Sequence, residues 1–142
     1  MNNKHIQMFM QMAVVASTYS HAKRLQVGSL FVRDGRILSI GINGTIAGSD
    51  NTCETTDEFG NLVTLNTVIH SEQQAMYKAC RDGESLKDST LFVTTQPCLM
   101  CSLGLVSSGV KEVYYLHSYR CNKGLIYLQE NGIIVRQMTL EK

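Results

Sequence analysis

The stretch TLFVTTQPCLMC, residues 90–101, decides how this chain is read. Residues 90–95 are β-branched, aromatic or aliphatic and read as a strand. Pro97, the only proline, breaks it, and Cys98 opens a segment of helical pattern. A strand running straight into a helix is the repeating unit of an α/β sheet. Working outwards, helices are expected over about 71–81, 99–107 and 123–130, with strands at EVYYLH (112–117) and IIVRQ (133–137). Upstream, VGSLFV (27–32) and RILSIGI (36–42) are β-rich runs separated by Arg33-Asp34-Gly35, and an Asp-Gly pair signals a tight hairpin turn. Ile6, Phe9, Met10, Ala13 and Val14 recur at spacings of three and four, which places an amphipathic first helix up to about Tyr19. The sum is a three-layer α/β/α domain around a mixed five-stranded sheet: a hairpin, then strands joined by helices.

Composition narrows the class. A chain of 142 residues with 44% hydrophobics fits one domain, residues 1–142, with a proper core. Net charge is +1 and the lysines and arginines are scattered, so long nucleic acid is not the expected partner. Gln7 and Gln11 interrupt the N-terminal stretch, and nowhere do about 18 apolar residues run together, so neither a signal peptide nor a membrane span is expected. An intracellular, cytoplasmic protein follows as the expectation. Residues 43–66 are rich in Gly, Asn, Asp and Thr and exceed an ordinary connection; such an insertion loop either binds something or is disordered. The five cysteines are an odd number, and two sit in a CxxC, which favours metal or redox chemistry over a disulfide framework.

Cys98 and Cys101 are one helical turn apart, so both sulfurs face the same side. The helix start favours thiolates, the form that ligates metal. A thioredoxin-type redox pair would use the same layout. A second motif weighs against it: in VIHSEQQA (68–75), His70 also opens a helix after an apolar segment. Neighbouring strand-to-helix junctions of an α/β sheet lie side by side at one edge. One nitrogen and two sulfurs from His70, Cys98 and Cys101 suit tetrahedral zinc with its fourth position open, which is catalytic geometry. Zinc lowers the pKa of its water to about 7, and Glu72, two residues past His70 and not a ligand, is placed to carry that proton. HxE followed by PCxxC is the signature of zinc nucleobase deaminases.

From Gln26 to Glu54 the chain reads QVGSLFVRDGRILSIGINGTIAGSDNTCE, which resembles the deoxycytidylate deaminase family, where a similar hairpin leads into GYNG and then a polar Asn/His-Cys-Asp/Glu segment. The resemblance continues through HSEQQA, TLFVTTQPCLMC, SSGVKEVYY and ENGIIV. Two positions depart from it: Ser71 replaces the alanine of the family's HAE, and Ile42 the tyrosine of GYNG. The resemblance implies a cytidine-deaminase-like fold and hydrolysis of dCMP to dUMP and ammonia, which feeds thymidylate synthesis. One zinc ion would activate water for attack at C4, and Glu72 would move its proton to N3 and then to the departing amine. Asn43 matches an asparagine that contacts the sugar in related enzymes, a turn asparagine being the other reading. A helix-start N–H at Ser71 or Cys98 would help orient the ring. Tyr119 and Arg120 lie where related enzymes hold substrate and suit a monophosphate; a solvated loop is the alternative.

Members of that family respond to nucleoside triphosphates, dCTP activating and dTTP inhibiting, with Mg2+ on the phosphates. Arg24, Gly44 and Asn51 are the candidates for that effector site, against a surface arginine and a flexible loop. The resemblance also implies a homohexamer, and the host cytoplasm if the source is viral. Cys80 is expected in the core. Cys53 and Cys121 lack partners at metal spacing, so no second zinc is expected. The same motifs serve cytidine and tRNA adenosine deaminases, and a non-catalytic zinc or nucleotide-binding regulator is the rival from another class. Glu72 separates the classes, because a regulator has no use for a proton shuttle.

Overall fold

The computed structural model describes residues 1–141. Helix α1 (Asn3–Ser17) is capped by the Asn2 side chain, which accepts the His5 N–H. It stops two residues short of the sequence estimate, where the Ser17 and Thr18 hydroxyls turn back to donate to the Val14 and Val15 carbonyls. Strands β1 (Gly28–Arg33) and β2 (Arg36–Ile42) follow as an antiparallel hairpin, with Asp34 and Gly35 at φ of 52° and 76°. After the short strands β3 (Glu54–Thr56) and β4 (Leu62–Thr64) come α2 (Ser71–Arg81), β5 (Thr90–Thr95), α3 (Leu99–Ser107), β6 (Glu112–His117), α4 (Lys123–Glu130) and β7 (Ile134–Gln137).

The main sheet has the order β2-β1-β5-β6-β7. β1 is antiparallel to both β2 and β5, whereas β5, β6 and β7 are parallel to one another. β5 is buried throughout and β1 almost so, because helices cover both faces, and that is why they read as unbroken apolar runs. Leu30, Val32 and Phe92 point to α1 and pack on Phe9, Met10 and Ala13. Phe31, Leu91 and Val93 point the other way, to Ala75, Ala79, Leu105 and Leu128 on α2, α3 and α4. The mixed sheet and three layers expected from the sequence are present.

Two expectations need correction. Residues 43–66 are not a plain loop: β3 and β4 pair antiparallel within it, and the Asp57 carboxylate holds the turn by accepting the Phe59 and Asn61 N–H groups. Cys80 is exposed, because Ala75 and Ala79 form the inward face of α2 and the next residue rotates out to solvent. Among the described residues, no helix is long and apolar enough to cross a membrane.

Candidate active site

Three segments converge at the ends of β2 and β5. An isolated bridge extends the line of β2: the Gly44 N–H donates to Ile69 O at 3.1 Å, and the Ile69 N–H to Gly44 O at 2.8 Å. The chain is thereby delivered to His70, whose N–H donates to Gln73 Oε1 and closes the first turn of α2. Gln74 Oε1 accepts the Ile42 N–H and the Ser39 hydroxyl donates to Ala75 O, which binds α2 to β2. Contact is close enough that a Cβ on Gly41 would stand 2.0 Å from Ser71 O. On the other side Pro97 ends β5, Cys98 caps α3, and its Sγ accepts the Cys101 N–H at 3.5 Å. Gly124, at the start of α4, seats that helix against the Pro97-Cys98 backbone.

These supports bring the metal-type donors together. His70 Nδ1 lies 3.4 Å from Cys98 Sγ and 3.3 Å from Cys101 Sγ, and all three donor atoms fall within 4.8 Å of one another. Tetrahedral zinc with ordinary Zn–S and Zn–N bonds sets S···N separations of roughly 3.6 Å, so this donor set fits the ion with small adjustment. The Cys101 thiol and the His70 ring hold the Cys98 thiol down at about 4. Cys101 is pushed in the opposite direction by its shared hydrogen bond with Cys98 and by burial. His70 is raised by its Cys98 contact, against the opposing effect of burial.

Glu72 is 4% exposed, and its Oε1 accepts the hydroxyl of the fully buried Ser71 at 2.7 Å. Burial raises its carboxyl above the usual carboxylate range, against the pull of Ser71 and His70. A cleft of about 200 Å³ rises from this floor, and Arg24, Asn43, Glu54, His70, Gln96 and Tyr119 are among its lining residues. Both ends of the Asn43 amide hold the chain before β1: Oδ1 accepts the Val27 N–H and Nδ2 donates to Leu25 O. Each end keeps one further hydrogen-bonding position. Tyr119 Oη accepts from Arg24 Nη2 at 3.3 Å, and the two guanidinium groups of Arg24 and Arg120 draw the phenol below its ordinary range.

The structure divides the residues singled out from the sequence. His70, Glu72, Cys98 and Cys101 meet at one point, and Asn43, Ser71 and Tyr119 line the cleft above. The Ser71 side chain is turned to Glu72. Arg120 is exposed, its guanidinium 5.7 Å from the Tyr119 ring centroid. Arg24, expected with Gly44 and Asn51, instead stands in the cleft beside Tyr119. The Gly44 N–H is engaged by Ile69, which leaves it unavailable to a phosphate, and Asn51 is exposed in the segment before β3. Sequence reasoning missed Glu54, whose carboxylate accepts the Lys23 and Arg24 backbone N–H groups at 2.8 and 3.0 Å. It also missed Gln96, for which the position just before Pro97 was the one available signal.

One histidine, two cysteines and a buried carboxylate that does not join them form the donor set of the zinc nucleobase deaminases. The chain belongs to the cytidine and deoxycytidylate deaminase family, whose zinc-binding region matches residues 3–117. The crystal structure of the dCMP deaminase from the cyanophage S-TIM5, in complex with dCMP and dUMP, superposes with a TM-score of 0.90. The two sequences are 39% identical over 97% of this chain and 99% of that one. The deoxycytidylate deaminase of Saccharomyces cerevisiae is 34% identical over 92% of this chain, which spans 44% of that longer protein. The deoxycytidylate deaminase of enterobacteria phage T4 is 27% identical, with 80% of this chain and 78% of that protein covered.

Proposed function

We propose that this chain is a zinc-dependent hydrolase that converts dCMP to dUMP and ammonia. The observation that carries the reading is Glu72, a buried carboxylate beside a three-donor metal group and at the floor of a cleft whose mouth holds Arg24 and Tyr119. His70, Cys98 and Cys101 would hold the zinc, which would supply a water of lowered pKa. Glu72 takes a proton from that water and gives it to ring N3, and the water oxygen bonds to C4. The proton of the hydroxyl added at C4 then passes through Glu72 to the amine, the C4–N bond breaks, ammonia leaves, and the ring keeps the carbonyl and the N3 proton of dUMP. Ser71 holds the Glu72 carboxylate in line by donating to Oε1. The spare positions of Asn43 meet the deoxyribose, and Arg24 with Tyr119, supported by Arg120, meets the 5′-phosphate. The likeness to a dCMP deaminase crystallised with dCMP and dUMP supports this substrate.

The reading extends to regulation and assembly: dCTP activates, dTTP inhibits, Mg2+ accompanies the triphosphate, and the single domain assembles as a homohexamer in the cytoplasm. The product would enter dTTP synthesis. Asn51 and the β3–β4 insertion remain the candidate effector contacts, while Arg24 is reassigned to the substrate. Ammonia release is the test, with dCMP, cytidine and an adenosine-containing tRNA stem-loop as substrates, each with and without dTTP. Turnover confined to dCMP and depressed by dTTP is the expected result. Turnover of cytidine or the stem-loop alone would overturn the substrate, and silence from zinc-loaded protein on all three would overturn the enzyme.

A further inference from the structure

Tyr119 reaches the cleft on a connection, residues 118–122 between β6 and α4, that is exposed along its whole length. Gln96 is the fixed point beneath it. Its backbone N–H donates to His117 O at 2.9 Å, one rung beyond the β5–β6 ladder, and its side-chain Nε2 donates to Cys121 O at 2.8 Å. One residue, 6% exposed, therefore grips this connection at both ends. Its Oε1 is buried without a partner, and a buried amide with an unmet acceptor is less favourable than an apolar side chain of the same shape. The part of the side chain that the fold uses is Nε2.

We propose that Gln96 is a positioning residue for substrate: it latches residues 118–122 to the end of β5 so that Tyr119 stands against Arg24 at the mouth of the cleft. The latch leaves from the residue before Pro97-Cys98, so the same short segment places a metal ligand and the side chain that closes on the substrate's far end. The ligand named in this inference rests on the dCMP reading above; the latch itself does not.

Gln96→Met keeps shape and burial but removes the donor. The expected result is a KM for dCMP raised about tenfold, the usual worth of one lost hydrogen bond, with kcat falling less and zinc stoichiometry held. In a Tyr119→Phe background the same substitution should cost far less, because the hydroxyl it positions is already gone. Gln96→Glu, which sets an acceptor against the Cys121 carbonyl, should reproduce the effect if the methionine variant folds poorly. Backbone amide exchange across 118–122 should quicken in both variants. An unchanged KM, losses that add in the double variant, or unaltered exchange at 118–122 would overturn the proposal. If the wild-type protein leaves dCMP intact, the substrate reading falls, and amide exchange alone then decides the latch.

Discussion

Gly124→Ala is the substitution for which a local account and a packing account predict opposite signs. Alanine in place of glycine inside a helix contributes up to about 1 kcal/mol by propensity alone, so a view confined to α4 expects a more stable protein. The added Cβ, however, would stand 2.3 Å from Pro97 O, 2.7 Å from Cys98 C and 2.8 Å from Cys98 O. All three are backbone atoms, so no rotamer change relieves the overlap. Ordinary contact begins near 3.4 Å, so α4 and the Pro97-Cys98 segment must separate by about 1 Å, a shift the two share. Zinc tolerates displacements of about 0.2 Å in its ligands, so a fraction of that shift taken up at Cys98 is enough to draw its Sγ out of reach. Zinc affinity should fall at least about tenfold, the range found when groups supporting a ligand are lost. Competition against a chromophoric chelator measures it, with the melting temperature recorded alongside. Gly44→Ala is the control, because a Cβ there meets nothing within 4 Å. A Gly124→Ala protein with wild-type zinc affinity and an equal or higher melting temperature would refute the reasoning.

Three further outcomes are expected. Glu72→Gln should retain zinc and lose about 10²-fold or more in dCMP turnover, read from steady-state rates on metal-analysed protein. Zinc uptake near pH 7 should release at least about one proton, because the Cys101 thiol is pushed up and must give up its proton to ligate, and a raised His70 pulls in the same direction. Affinity should then rise with pH for as long as Cys101 keeps its proton; calorimetry in two buffers of different ionisation enthalpy reads the release, and a value near zero would contradict it. Phe92→Ala should lose about 3–5 kcal/mol in urea unfolding, since the ring is fully buried with its centroid 5.5 Å from Phe9 and 5.2 Å from Tyr114.

How much was legible depends on whether the signal is local. β2, α2, β5, α3, β6 and α4 begin and end where periodicity and turn residues put them, because in these segments the apolar pattern agrees with the hydrogen-bonded ladder. β3 and β4 escaped notice because strands of three residues, mostly exposed, give no alternation to read, and their register is held by Asp57 and the backbone. His70, Cys98 and Cys101 were readable as a group because ligand chemistry restricts both residue type and spacing. Arg24 and Tyr119 are 95 residues apart, and neither belongs to a motif that would pair them, so only the fold brings them into contact. Gln96 and Glu54 act through backbone partners, and a contact to a carbonyl or an N–H leaves no trace in the partner's residue type.

His70 and Cys98 are 28 positions apart, and α2 and β5 lie between them. Once zinc joins them, the ion is also a staple that closes this length of chain. For a covalent link across such a loop, the entropy removed from the unfolded chain is worth roughly 3.5 kcal/mol, and a tightly held ion approaches that figure. Endurance and reactivity then share one set of atoms. A substitution that loosens the ion would surface first as heat sensitivity, before any defect in the chemistry at moderate temperature. Selection for function in warm conditions would therefore act on Gly124 and Gly41, which touch no substrate, as firmly as on the ligands they seat.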